Sequence, residues 1–325
     1  MTGTTTDGRP VHDALAQRYD DYAVHRLLHD VPPHETYEVT VDGRRAVCKV
    51  ATAPRGDPAT EARVMAFVGR KTTVPVPTVL AVGDGYFVAE WCPDAPQAAT
   101  VNEEKARAMG AGLASLHRES ADAIDAYGRF ERDDAPPTRR YGDSAGSGRD
   151  DPTVVKRADW RSAALDRLAD RRPYLQSVGH AAVADAVVGY LRAHPDAFDG
   201  AGDPVLCHGN YLPDHVSVDG EAVTCVIDFE HALCGPAEYD CWRTLLPLSR
   251  NESGGEADAF REGYESVRAL PDGFDRRRDL YSVLLTVSYL KSLYLQDRHD
   301  AGRTRRLAER MREHVFDSLD ALERS

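Results

Sequence analysis

Apolar and polar positions divide the chain into two parts of different character. Near the start, Leu15, Tyr19, Tyr22, Leu27 and Leu28 fall among charges at helix-like spacing, which predicts a helix within 11–30. TYEVTV (36–41) and RRAVCKV (44–50) then alternate with a period of two on either side of Asp42-Gly43, a dipeptide suited to a type I′ turn. A two-residue turn sets Val41 opposite Arg44, Val39 opposite Ala46 and Tyr37 opposite Cys48, and Val50 extends that apolar face. Lys49 falls on the other face with Val47, Glu38 and Thr36. Asp57-Pro58 reads as a cap and first-turn proline opening a helix through TEARVMAFVG. VPTVLAVG and GYFVAEW read as two further strands, so the first part is a small sheet with one helix after the hairpin.

Beyond Cys92-Pro93 the period changes to that of helices. Thr100-x-x-Glu103 matches a capping box, and Ala106, Met109, Leu113 and Leu116 repeat at helical spacing. Residues 131–157, rich in Asp, Arg, Gly, Ser and Pro, predict a long exposed loop, whereas 158–193 and about 255–323 predict helices. Segment 204–240 is the strongly punctuated one, with a strand-like VLC and a second hairpin around Asp219-Gly220. The expected architecture is α+β: a small antiparallel sheet lobe over 1–92 and a larger, mainly helical lobe over 93–325.

Charge narrows the choice of partners. The 325 residues carry 40 Lys and Arg against 53 Asp and Glu, a formal charge of −13, which repels nucleic acid and anionic membrane surfaces. No apolar run reaches the roughly 18 residues of a bilayer span, and MTGTTTDGRP has no apolar signal segment, so a cytoplasmic monomer or weak dimer is expected. Asp is abundant and Lys scarce, at 35 and 5 residues, which resembles a halophilic composition. Six cysteines without a CxxC pair read as reduced thiols.

Segment 204–240, PVLCHGNYLPDHVSVDGEAVTCVIDFEHALCGPAEYD, ends each strand-like run in polar residues, so His208, Asn210, Asp214, His215 and Asp228 can converge at one rim. Any one of them alone reads as a turn residue or a satisfied histidine; five bracketing a hairpin read as a site. HGNYLPDHV followed by VIDFEHALCGPAEYD resembles the HGDxxxxN loop and DFG-like element of the aminoglycoside phosphotransferase and choline kinase family, which has the protein-kinase-like fold. AVCK with Lys49, TEARVMAFV with Glu61 and VPVPTVLAVGDGYFVAEW resemble its strand lysine, its helix glutamate and its run into the interlobe hinge.

The resemblance implies an ATP-dependent (or GTP-dependent) kinase that moves the γ-phosphoryl group to a hydroxyl of a small polar acceptor, with Mg2+ or Mn2+. Lys49 would contact phosphates and pair with Glu61, while the Glu90 carbonyl and Cys92 amide, either side of Trp91, would meet the base. Asp228 would hold the metal, His208 would orient the loop and Asp240 would brace it from below. Three positions depart from the family. Asn210 stands where the catalytic Asp is expected and cannot accept a proton, which leaves Asp214 as the nearest spare carboxylate. His215 stands at the metal-binding Asn position and suits manganese or zinc better than magnesium. DVPPHETY (30–37) has no glycine for a phosphate loop. A non-catalytic nucleotide-binding or scaffold protein on the same fold is therefore the alternative, and a transition-metal site of His208, Asp214, His215, Asp228 and His231 a third reading.

Overall fold

A computed structural model describes residues 9–96, 99–132, 139–140, 151–249 and 254–324. The hairpin comes out in the expected register. β2 (His34–Val41) pairs antiparallel with β3 (Arg44–Ala51), with Tyr37 opposite Cys48 and Thr36 opposite Lys49. Asp42 and Gly43 both take left-handed φ, 48° and 72°, as the primed turn requires. Val39, Val41, Ala46, Cys48 and Val50 are buried against Val11, Ala14 and Leu15 of α1 (Arg9–Ala16).

The helix expected within 11–30 stops at Ala16, and β1 (Tyr22–Val31) follows it as an edge strand along β2. Register shifts between Val24 and Arg26 and between Leu27 and His29 break the period of two. The irregular spacing of Tyr22, Leu27 and Leu28 thus imitated a helix, and both leucines are exposed. β4 (Val79–Gly83), β5 (Tyr86–Glu90) and the short β7 (Arg139–Arg140) complete a six-stranded sheet in the order β1-β2-β3-β5-β4-β7. α2 (Pro58–Lys71) starts where Asp57 Oδ1 accepts the Thr60 amide at 3.2 Å, a cap worth about 1 kcal/mol.

The second part is built on α3 (Glu103–Ser120), whose cap is Asn102 rather than Thr100: Asn102 Oδ1 accepts the Lys105 amide at 2.8 Å. Asparagine caps as well as threonine does and sits next to the first helical residue, so it wins. α7 (Gly255–Glu265) packs closely on α3 because two glycines permit it. A Cβ at Gly110 would lie 2.0 Å from the Phe260 carbonyl oxygen, and one at Gly263 would lie 2.0 Å from that of Arg107. α4 (Trp160–Ser177), α5 (Ala181–Ala193), α6 (Ala237–Leu248), α8 (Arg278–Leu295) and α9 (Ala301–Leu322) complete the helices of the described residues.

The stretch expected as a loop over 131–157 supplies β7 and β8 (Val154–Arg157); its residues 133–138 and 141–150 lie outside the described ones. Pairing partners far away in sequence, β4 for β7 and β6 (Tyr127–Phe130) for β8, make strands that local composition does not announce. A four-stranded sheet runs β8-β6-β12-β9, with β9 at Pro204–Cys207 and β12 at Leu233–Pro236. β10 (Val216–Asp219) and β11 (Ala222–Val226) form the second hairpin, its turn one residue later than expected, at Gly220-Glu221, because Asp219 still pairs with Ala222.

Candidate functional site

Loop 208–215 leaves β9 and is held from beneath. The Asp240 carboxylate, fully buried near the start of α6, accepts the His208 amide at 2.5 Å and the Gly209 amide at 2.7 Å. His208 is also fully buried, and both its ring nitrogens are engaged: Nε2 donates to the Ile227 carbonyl at 2.9 Å, and Nδ1 accepts the Asn210 amide at 3.2 Å. Burial pushes its pKa down to about 4, so it is neutral at pH 7. Neither nitrogen is left for a metal, which removes His208 from the transition-metal reading. Gly209 takes a left-handed φ of 78°, and a Cβ there would meet the His231 carbonyl oxygen at 2.1 Å.

Lys49 projects from the sheet face opposite α1, as the hairpin register requires. Its Nζ lies 2.7 Å from Glu61 of α2, 3.0 Å from Asp228 and 3.1 Å from Glu230. Burial opposes its charge, but Asp228, Glu61 and Glu230 together hold its pKa well above the usual lysine range. Three carboxylates share one ammonium, and the excess negative charge must go somewhere. Burial, with Lys49 opposing and Asp228 and Glu230 adding to it, pushes Glu61 up to about 8. Burial works against the charges of Asp228 and Glu230 as well, but Lys49 outweighs it and holds both below the usual carboxylate range.

Asp228 itself has a left-handed φ of 69° and precedes a single 3₁₀ turn, Phe229–His231. Oxygens of Glu61, Asp228 and Glu230 lie within 4.8 Å of one another, a donor set of hard oxygens that fits a divalent cation. The other such group among the described residues, His117, Cys207 and Asp240, is buried and already spent: Asp240 on the loop amides, and His117 Nδ1 on the Tyr264 hydroxyl at 2.9 Å.

The two departing loop residues meet each other. His215 Nδ1 donates to the Asn210 carbonyl at 2.8 Å, since a carbonyl can only accept, and this aims Nε2 at Asp228 Oδ2, 3.3 Å away. Asp214 is exposed at the rim, with Oδ1 4.0 Å from the same Nε2. Asn210 Oδ1 accepts two bonds from the Arg243 guanidinium, at 2.6 Å and 3.1 Å. Its carbonyl side is thus occupied by a cation.

Sequence reasoning missed Arg243 and Glu230. Arg243 lies three residues after Asp240, hence on the same helix face as the expected brace, and Glu230 is the third residue of the DFG-like triplet; both signals were available. In place of a glycine loop, β1 and β2 meet at Pro32-Pro33, which has no backbone N–H to offer phosphate. Beside it His34 takes the Asp57 amide at 3.1 Å on Nε2 and sets Nδ1 3.0 Å from Glu230. At the expected hinge Glu90 ends β5, the Trp91 amide is spent on the Arg45 carbonyl at 3.3 Å, and the Cys92 thiol contacts that of Cys225.

This arrangement has known counterparts. Aminoglycoside phosphotransferase APH(4)-Ia superposes with a TM-score of 0.65 at 15% identity, covering 96% of this chain and 98% of that one. Its thermostable mutant in ternary complex with ADP and hygromycin B gives 0.64 at 14% identity, covering 95% and 98%. Aminoglycoside-3′-phosphotransferase of type VIII gives 0.56 at 18% identity, covering 84% and 97%. The fold is kinase-like. No curated sequence relative matches. No helix of the described residues is long and apolar enough to cross a membrane. The sequence profile of the phosphotransferase enzyme family (APH) matches residues 33–280, and the chain belongs to that family.

Proposed function

We propose that the protein is an ATP-dependent small-molecule kinase that transfers the γ-phosphoryl group to a hydroxyl of a small polar acceptor in a salt-rich cytoplasm. The observation that carries this reading is Lys49, fixed by Glu61 at 2.7 Å and Asp228 at 3.0 Å where the sheet part meets loop 208–231. Residues 1–92 form the nucleotide lobe and 93–325 the acceptor lobe. Lys49 contacts the phosphates, with Glu61 holding its ammonium in place. The Glu90 carbonyl and the Cys92 amide meet the base, ATP or GTP. Asp228, with Glu230 and His215 beside it, would hold Mg2+ or Mn2+, which neutralises phosphate charge when bound.

Asn210 does not take the acceptor proton: an amide has no basic site, and its oxygen is engaged by Arg243. Phosphoryl transfer depends mainly on positioning and charge neutralisation, so solvent or Asp214 suffices for the proton. His208 and Asp240 position the loop and touch no reactant. A non-catalytic nucleotide-binding protein is the second reading, favoured by the clamp of Arg243 on Asn210 and by the proline turn. One experiment separates the two. ADP release is followed with Mg2+ and with Mn2+ over a panel of hydroxyl acceptors, for the native chain and for Asn210→Asp. Turnover by the native chain supports the kinase; nucleotide binding without turnover in either protein supports the second reading.

A further inference from the structure

Four cations gather around Arg243, the residue that holds Asn210. Arg167 and Arg171 lie one turn apart on α4, Arg243 comes from α6 and Lys291 from α8. Arg243 is 6% exposed, lies 4.3 Å over the Tyr289 ring, and its Nη1 is buried without a hydrogen-bond partner among the described residues. Arg171 is half-buried and gives Nη1 to the Arg167 carbonyl at 2.9 Å; Arg167 gives Nη2 to the Tyr239 hydroxyl at 3.0 Å. Lys291 is half-buried in the same neighbourhood. Among the described residues none of the four forms an ion pair with a carboxylate.

Other arginines of α4 and α7 do find acids among the 53 of the chain. Arg172, the next residue on α4, takes Asp185 with two bonds at 2.6 Å and 3.0 Å. Arg261 takes Asp275 in the same way, at 2.9 Å and 3.1 Å. Acidic partners are thus within reach of these two arginines, on a helix nearby. The inward cations instead act on one another: burial and then the charges of Arg167 and Arg243 push Arg171 down to about 10, with Asp170 as the acid in reach. Burial, Arg171 and Arg55 push Lys291 down to about 8. The group also reaches the phosphate end, since Arg243 and Arg171 act on His231, which stands beside Asp228 and Glu230. Like charges held together with only Asp170 as counter-charge in reach cost free energy that a bound anion would recover.

From the unsatisfied Nη1 of Arg243 and the cations around it that have no carboxylate partner among the described residues we infer that the acceptor is a small hydroxylated anion, a carboxylate or phosphate ester, gripped by Arg171, Arg243 and Lys291. This rests on the kinase reading for the fate of the hydroxyl. Its oxygen forms the new bond to the γ-phosphorus, the bond from that phosphorus to the β-bridging oxygen breaks, ADP keeps the electron pair, and the proton leaves to solvent or Asp214. A cationic amino sugar or amino alcohol is disfavoured by the same charges, in contrast to the hygromycin B carried by one of the neighbours.

The test is calorimetric titration of the full chain, saturated with AMP-PNP and Mg2+, with inorganic phosphate, gluconate, glucose and glucosamine at constant ionic strength. Gluconate is expected to bind about tenfold more tightly than glucose, and glucosamine more weakly still, the scale of one charge-assisted hydrogen bond. Lys291→Gln and Arg171→Gln should each weaken phosphate and gluconate by about the same factor, with AMP-PNP affinity unchanged and the melting temperature of the unliganded chain not lowered. Equal or better binding of glucosamine, no binding of either anion, or anion binding indifferent to both substitutions overturns the inference. ATP consumption measured beside it keeps the two readings apart. Anion binding with the expected variant pattern but no phosphoryl transfer to any hydroxylated anion would remove the kinase and leave the anion site standing.

Discussion

On one side of loop 208–215 Glu61, Asp228 and Glu230 share the single ammonium of Lys49; on the other, Arg167, Arg171, Arg243 and Lys291 have no carboxylate partner among the described residues. The first side lacks positive charge and the second lacks negative charge. Asn210 meets the second side, its side-chain oxygen clamped by Arg243, and His215 joins that residue's carbonyl to Asp228 on the first. A cation with a nucleotide on one side and an anionic acceptor on the other would satisfy both deficits. The global charge of −13 says nothing of this, because it is a sum over the whole chain and carries no information on where the charges meet.

The largest expected effect is at the acidic end. Asp228→Asn removes the carboxylate proposed to hold the metal and should cut ADP release with any accepted substrate by about 10³-fold or more, as for other charge-stabilising groups in phosphoryl transfer. A loss under about tenfold, measured under both metals, would detach Asp228 from the chemistry. Lys49→Ala comes next. It should weaken nucleotide binding by about 1–3 kcal/mol, the range of a charge-assisted hydrogen bond in a partly dry site. Unchanged nucleotide affinity would mean that the three carboxylates exist for Lys49 alone.

The loop beneath gives a prediction in pH. His208 is held neutral with its pKa lowered from 6.5 to about 4, so the unfolded chain binds the extra proton between those values. Its contribution is present above pH 6.5 and is lost as pH falls through about 4, up to about 3 kcal/mol at roughly 1.4 kcal/mol per unit. In His208→Gln the fall in stability across that window, followed by denaturant unfolding, should be shallower by a similar amount. Identical profiles would show that the buried imidazole is not what acid attacks. The smallest effect is a fraction of a proton. Glu61, raised from 4.5 to about 8, adds stability that is full below pH 4.5 and disappears as pH rises through 8. Magnesium binding near Asp228 should lower that pKa and release protons at pH 7, seen as a binding heat that depends on the buffer's ionisation enthalpy.

Some of this could be read in the sequence and some could not, for reasons tied to range. A two-residue turn fixes register, so Asp42-Gly43 alone put Lys49 on the face away from Cys48 and Val50. Asp57 announced its own helix because a cap acts within three residues. β1 was misread because two register shifts erase its alternation, and β8 because its partner β6 lies far back in the chain. The gathering of His208, Asn210, His215 and Asp228 was expected from segment 204–240, since a hairpin brings its flanks together. The cation cluster was out of reach: α4, α6 and α8 contribute to it from positions more than a hundred residues apart in all, and no local pattern marks Arg171 or Lys291.

The most direct test of the acidic end as the nucleotide and metal site is titration of AMP-PNP into the native chain and into Asp228→Asn, each with and without Mg2+. The account predicts that magnesium tightens AMP-PNP binding to the native chain and that this gain disappears in the variant. Equal tightening in both proteins, or no AMP-PNP binding to the native chain under either condition, would contradict it.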